Sequence, residues 1–116
     1  MLDIDTEFRK GILFVRLSGL LSSSNCCLLE NDVGKLIVED KVRFVTFNIY
    51  NLYFIDSEGV DTILKYNTIL LKNNGIALVC GLERMLMKLR NRRDCNIKEV
   101  SDELSAIKYV NLGGYI

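Results

Sequence analysis

Histidine is absent from the 116 residues, so neither a histidine general base nor a histidine metal ligand is available. No GxxxxGKS/T or GxGxxG phosphate loop occurs either, which removes the common nucleotide-binding signatures. Charge of one sign is missing: fifteen Lys plus Arg face fifteen Asp plus Glu, and such a balance implies no nucleic acid and no acidic membrane surface as partner. Long hydrophobic runs are missing too. The longest apolar stretch, Ile76 to Leu82, contains a Gly and is far too short to span a bilayer. The opening Met1-Leu2-Asp3-Ile4-Asp5 lacks the basic start and apolar run of a secretory signal, so a soluble cytoplasmic protein with no membrane span is expected. The four cysteines, Cys26, Cys27, Cys80 and Cys95, show no CxxC spacing, which disfavours a disulfide framework or a zinc site. Reduced thiols are expected, with Cys26 and Cys80 buried as small apolar side chains. No repeat, low-complexity stretch or linker divides the chain, and its length suits one domain over residues 1–116.

What is present is a globular pattern, with 49% hydrophobic residues. Leu2 to Phe8 and Ile12 to Leu17 flank Arg9-Lys10-Gly11, the spacing of two strands joined by a short hairpin. Ser22-Ser23-Ser24-Asn25 offers helix caps ahead of Cys26, Leu29, Val33, Leu36 and Ile37, which recur at helical period. Phe44 to Tyr50 is β-branched and aromatic, dense enough for a central strand, and Leu52 to Ile55 leads on to Asp56. From Ser57, the positions Val60, Ile63, Leu64, Asn67, Leu70 and Leu71 predict a helix that ends at Asn73-Asn74-Gly75, with Gly75 in a left-handed conformation. A strand over Ile76 to Cys80, an amphipathic helix carrying Leu82, Met85, Leu86 and Leu89, a short strand around Ile97 and a helix from Ser101 to about Tyr109 follow. The order β-β-α-β-α-β-α-β-α predicts an α/β fold: a mixed sheet of about five strands with about four helices packed on it.

Within this order, Leu52-Tyr53-Phe54-Ile55-Asp56-Ser57-Glu58-Gly59-Val60, then Ile63-Leu64, then Asn74-Gly75-Ile76-Ala77-Leu78-Val79-Cys80, carry a family likeness. They resemble the STAS domain, shared by sulfate transporters and bacterial anti-sigma factor antagonists. The hairpin ending Val15-Arg16-Leu17-Ser18-Gly19 resembles it as well, so the likeness covers nearly the whole chain. The resemblance implies an anti-sigma factor antagonist, a binding protein and not an enzyme, with no catalytic residue, metal or cofactor. Its partner would be an anti-sigma factor with serine kinase activity, bound when the serine after the aspartate is unmodified and released when that serine, Ser57, is phosphorylated, controlling sigma-factor availability. Asp56, Ser57, Glu58, Gly59, Asp61, Ser22 and Ser23 are the partner-binding candidates, on a monomer or weak dimer. The alternative is a non-switching STAS subunit of a stress-signalling scaffold or of a lipid-transport complex. The chain departs from the family after Gly19, where Leu20, Leu21 and Ser22 replace an acidic residue, an aliphatic and Asp. Glu58 replaces a small residue and Asp61 replaces a frequent Gly, so carboxylates from Asp56, Glu58 and Asp61 crowd Ser57.

Plainer roles stand beside these. Ser57 also suits the N-cap of its helix, and Glu58 and Asp61 suit first-turn acids that complement the helix dipole. A phosphate at a helix N-terminus meets unpaired backbone N–H groups, so the fold would tolerate it. Gly59 reads as a point where the helix start lies close to a neighbouring segment. Asn67, polar on an apolar stripe, is expected near an exposed edge of its helix. Arg84, Lys88, Arg90, Arg92 and Arg93 read as a solvated face with a bias to the helix C-terminus. Met85 and Met87 read as fillers of core gaps and surface. Glu99, Asp102 and Glu103 read as exposed charges, not an acid/base pair.

Overall fold

The computed structural model describes residues 1–91 and 97–112; Arg92, Arg93 and Cys95 lie outside the described residues. Strands β1 (Leu2–Arg9) and β2 (Ile12–Leu21) form the expected antiparallel hairpin. Its turn residues Lys10 and Gly11 both take positive φ, 55° and 80°, the backbone that follows the right-handed twist of paired strands. β2, β3 (Phe44–Ile55), β4 (Ile76–Cys80) and β5 (Lys98–Glu99) run parallel, giving one mixed sheet in the order β1-β2-β3-β4-β5.

The helices connect these parallel neighbours. α1 runs through Cys26–Leu29, a π-helical stretch Glu30–Gly34, and Lys35–Val38; α2 is Ser57–Lys72, α3 Glu83–Arg90 and α4 Glu103–Asn111. Period-2 alternation in β2 divides the core between the two sheet faces. Leu13, Val15 and Leu17 pack in one cluster with Leu29 and Val33 of α1, Ile63 and Leu70 of α2, and Met85 and Leu89 of α3. Ile12 and Phe14 point the other way, clustering with Leu78 and with Ala106 and Val110 of α4. Cys26 and Cys80 are buried and Cys27 is exposed. No helix among the described residues is long and apolar enough to cross a membrane.

Tertiary contacts account for several departures from the sequence expectations. β3 continues to Ile55 where Tyr50 was the expected end, because β2 carries on beside it as far as the pairs Leu20 with Phe54 and Leu21 with Ile55. β4 pairs with β3 only over Phe44–Asn48, so the ends of β2 and β3 project together beyond their neighbour. At the end of α2 the left-handed residue is Asn74, φ 64°, and not Gly75. Gly75 is required for a different reason: a Cβ there would run into the carbonyl of Arg43. Asn67 is fully buried instead of lying at an edge, and its Oδ1 accepts the backbone N–H of Ala77 at 3.2 Å, joining α2 to β4. The last helix begins at Glu103 and not at Ser101, because the side chain of Asp102 accepts Ser105 N and caps it there. Glu103 is no solvated charge: its Oε2 accepts Arg16 Nε at 2.8 Å and Asn48 Nδ2 at 2.9 Å. Arg90 spans from α3 to β5, pairing with Glu83 and Glu99 at 2.6 and 2.7 Å.

Candidate functional site

The projecting ends of β2 and β3 deliver two segments to one place, the turn after Leu21 and the junction after Ile55. Asp56 N donates to Leu21 O at 3.2 Å, which aligns them. The Asp56 carboxylate then holds both segments. Its Oδ1 accepts Gly59 N at 2.8 Å, closing the first turn of α2, and its Oδ2 accepts Ser23 N at 3.1 Å from the other segment. Those N–H donors, Gly59 first, keep the Asp56 pKa below the ordinary carboxylate value despite some desolvation. The neighbouring turn is tied to itself: Ser22 N donates to Asn25 Oδ1 at 2.9 Å, Asn25 Nδ2 donates to Leu20 O at 3.0 Å, and the Ser22 and Ser24 hydroxyls lie 2.8 Å apart.

The N-cap of α2 is therefore Asp56 and not Ser57, which corrects the capping role open to the serine in sequence. Ser57 is the first helical residue and is exposed. Glu58 and Asp61 are also exposed and stand three apart on the helix, on the same side. Gly59 is buried, and a Cβ there would lie 2.7 Å from Leu21 O and 2.9 Å from Ile55 Cγ1, so the expected close approach is real. Ser22, Ser23, Asp56, Ser57 and Gly59 thus meet at one end of the sheet, while Glu58 and Asp61 flank them on the outer side of α2.

The site also holds a residue whose role the sequence did not single out. Lys88, on α3, donates from Nζ to Ile55 O at 3.0 Å, and its ammonium lies 5.1 Å from the centre of the Phe54 ring. Phe54, Ile55, Asp56, Ser57, Val60 and Lys88 line a shallow groove of about 370 Å³. In the sequence Lys88 is one cation among several on an exposed helix face, thirty-one residues from Ser57, and only the packing of α3 beside β3 brings it here. No cluster among the described residues could hold a metal ion.

Residues 3–106 match the STAS domain. The chain belongs to the STAS domain family. This STAS domain is 27% identical over 88 residues to the anti-sigma F factor antagonist of Paenibacillus polymyxa, covering 76% of this chain and 75% of that protein. Its fold is similar to that of the anti-sigma factor antagonist SpoIIAA in its unphosphorylated form, with TM-score 0.77 and 20% identity over 94% of this chain and 98% of that one. The phosphorylated form of SpoIIAA, the Bacillus cell fate determinant, matches with TM-score 0.70 and 20% identity, covering 93% and 99% of the two chains. An anti-sigma factor antagonist from Mycobacterium paratuberculosis matches with TM-score 0.80 and 19% identity, covering 96% and 95%.

Proposed function

We propose that this STAS domain is an anti-sigma factor antagonist: it binds an anti-sigma factor with serine kinase activity and is released when Ser57 is phosphorylated, so that sigma-factor availability follows its modification state. The observation that carries this reading is the placement of Ser57, exposed at the first position of a 16-residue helix whose capping is done by the neighbouring Asp56. An exposed residue there is within reach of a kinase, and the helix dipole favours the anion that transfer creates. In the transfer, Ser57 Oγ bonds to the γ-phosphorus of ATP, ADP leaves, and the hydroxyl proton passes to a base on the kinase. The product adds roughly −1.5 to −2 charges beside Asp56, Glu58 and Asp61 on the docking face. The partner-binding residues on this reading are Ser22, Ser23, Asp56, Ser57, Glu58, Gly59 and Asp61, on a monomer or weak dimer in the cytoplasm formed by residues 1–116 as one domain. The likeness to the Paenibacillus antagonist and to SpoIIAA, which has both unphosphorylated and phosphorylated forms, supports it. Asp56 as the cap speaks against the alternative in which Ser57 serves only to start the helix in a static scaffold or lipid-transport subunit.

Incubation with the candidate kinase and ATP, followed by peptide mapping by mass spectrometry, is expected to place a single phosphate on Ser57. Modification at another residue, or none, defeats the switch.

A further inference from the structure

We propose that Lys88 is the counter-ion of the phosphoryl group on Ser57, leaving the Ile55 carbonyl to pair with it. This rests on the reading of Ser57 as the modified residue and adds the group that answers the new charge. Among the described residues lining the groove that contains Ser57, Lys88 is the only cationic side chain. Its ammonium is already anchored there by Ile55 O at 3.0 Å, two residues before Ser57, which is at most about 7 Å of chain. A flexible four-carbon stem and three N–H donors let it turn toward a phosphate without moving α3. The bond it gives up is to a neutral carbonyl, weaker than the charge-assisted bond it gains.

The other charges around the serine do not compete for this role. Asp56 is engaged with the N–H groups of Gly59 and Ser23, while Glu58 and Asp61 are carboxylates that repel a phosphate. Arg90, on the same helix as Lys88, is committed to Glu83 and Glu99. With three acids beside Ser57, a second negative charge on the phosphate is disfavoured unless a cation offsets it, and the groove supplies Lys88.

Phosphoserine encoded at position 57 of the full chain provides the test, with the phosphate titrated by ³¹P NMR. The second phosphate pKa is expected to lie about half a unit higher in Lys88→Gln than with Lys88 in place, and Lys88→Arg is expected to retain most of the lowering. The Nζ resonance of Lys88 in the unsubstituted chain is expected to shift between the serine and phosphoserine forms, a readout that needs no variant. Coincident phosphate pKa values for Lys88 and Lys88→Gln, or an Nζ resonance unmoved by phosphorylation, overturn the inference. Because the phosphate is installed during synthesis, the outcome does not depend on any kinase. Failure of a kinase to modify Ser57 would count against the proposed function alone.

Discussion

At the scale of single residues, Asp56 bears most of the site, since one carboxylate holds the start of α2 through Gly59 and the preceding segment through Ser23. Asp56→Ala is expected to lower the unfolding free energy by about 1 kcal/mol, the usual cost of losing a side-chain cap, measured by urea denaturation at neutral pH. Because its folded pKa is depressed, the ionised carboxylate stabilises the fold fully above the unfolded value of about 4. That contribution disappears as pH falls through the lower folded value. The gap between parent and variant should therefore close in acid, and a gap independent of pH would contradict the role. Thr46 offers the reverse case. It is fully buried in β3, and its hydroxyl has no hydrogen-bond partner among the described residues. Thr46→Val keeps the shape and removes a desolvated polar atom, so a gain of about 1 kcal/mol is expected by the same denaturation. A loss would mean that the hydroxyl is satisfied.

At the scale of elements, α4 is fastened to the sheet by a charge cluster as well as by its apolar face. Arg16 on β2 gives Nε and one terminal nitrogen to the two oxygens of Glu103, each at 2.8 Å, and also pairs with Asp5 and Glu7 on β1. Three elements thus converge on one half-buried guanidinium. The hydrogen bonds from Arg16, and less strongly that from Asn48, hold the Glu103 pKa below the ordinary carboxylate range. Glu103→Gln is expected to cost about 2 kcal/mol, the range for a hydrogen bond to a charged partner, with amide exchange accelerated most in α4. Uniform acceleration over the whole chain would argue against a local fastening. This pairing is also acid-sensitive in the sense of Asp56: full above the unfolded carboxylate pKa and lost as pH drops through the depressed folded one.

At the scale of the whole molecule, the end of the sheet carrying Ser57 and the interior are separate systems, because the serine is exposed while the core lies on both faces of the sheet. Ser57→Asp is expected to weaken binding to the anti-sigma factor by about two orders of magnitude, equivalent to about 3 kcal/mol, while Ser57→Ala binds as the parent does. Isothermal titration calorimetry with the candidate partner reads both. The two substitutions should leave the thermal midpoint nearly unchanged, as surface changes away from caps and core do. Equal binding by both variants would favour a static docking subunit.

Periodicity and local chemistry determined which segments of this chain become strands and helices, since alternation in β2 and the apolar stripes of α1, α2 and α3 are properties of neighbouring residues. The likeness around Phe54 to Gly59 likewise located the junction with Ser57, because that signal is contiguous. Partnership across the fold was decided only by tertiary structure. By sequence the cap open to view at α2 was Ser57, and the reach of the Asp56 carboxylate to Ser23 and Gly59 gave that role to Asp56 instead. Asn67 became a core residue once Ala77 came within hydrogen-bond distance, and Glu103 became the partner of Arg16 across eighty-seven positions. Lys88 reached the serine's groove in the same way, through the packing of a helix that no local pattern can place. Hydrophobic period is written in adjacent residues, whereas hydrogen bonds and ion pairs between distant ones exist only after the chain has closed on itself.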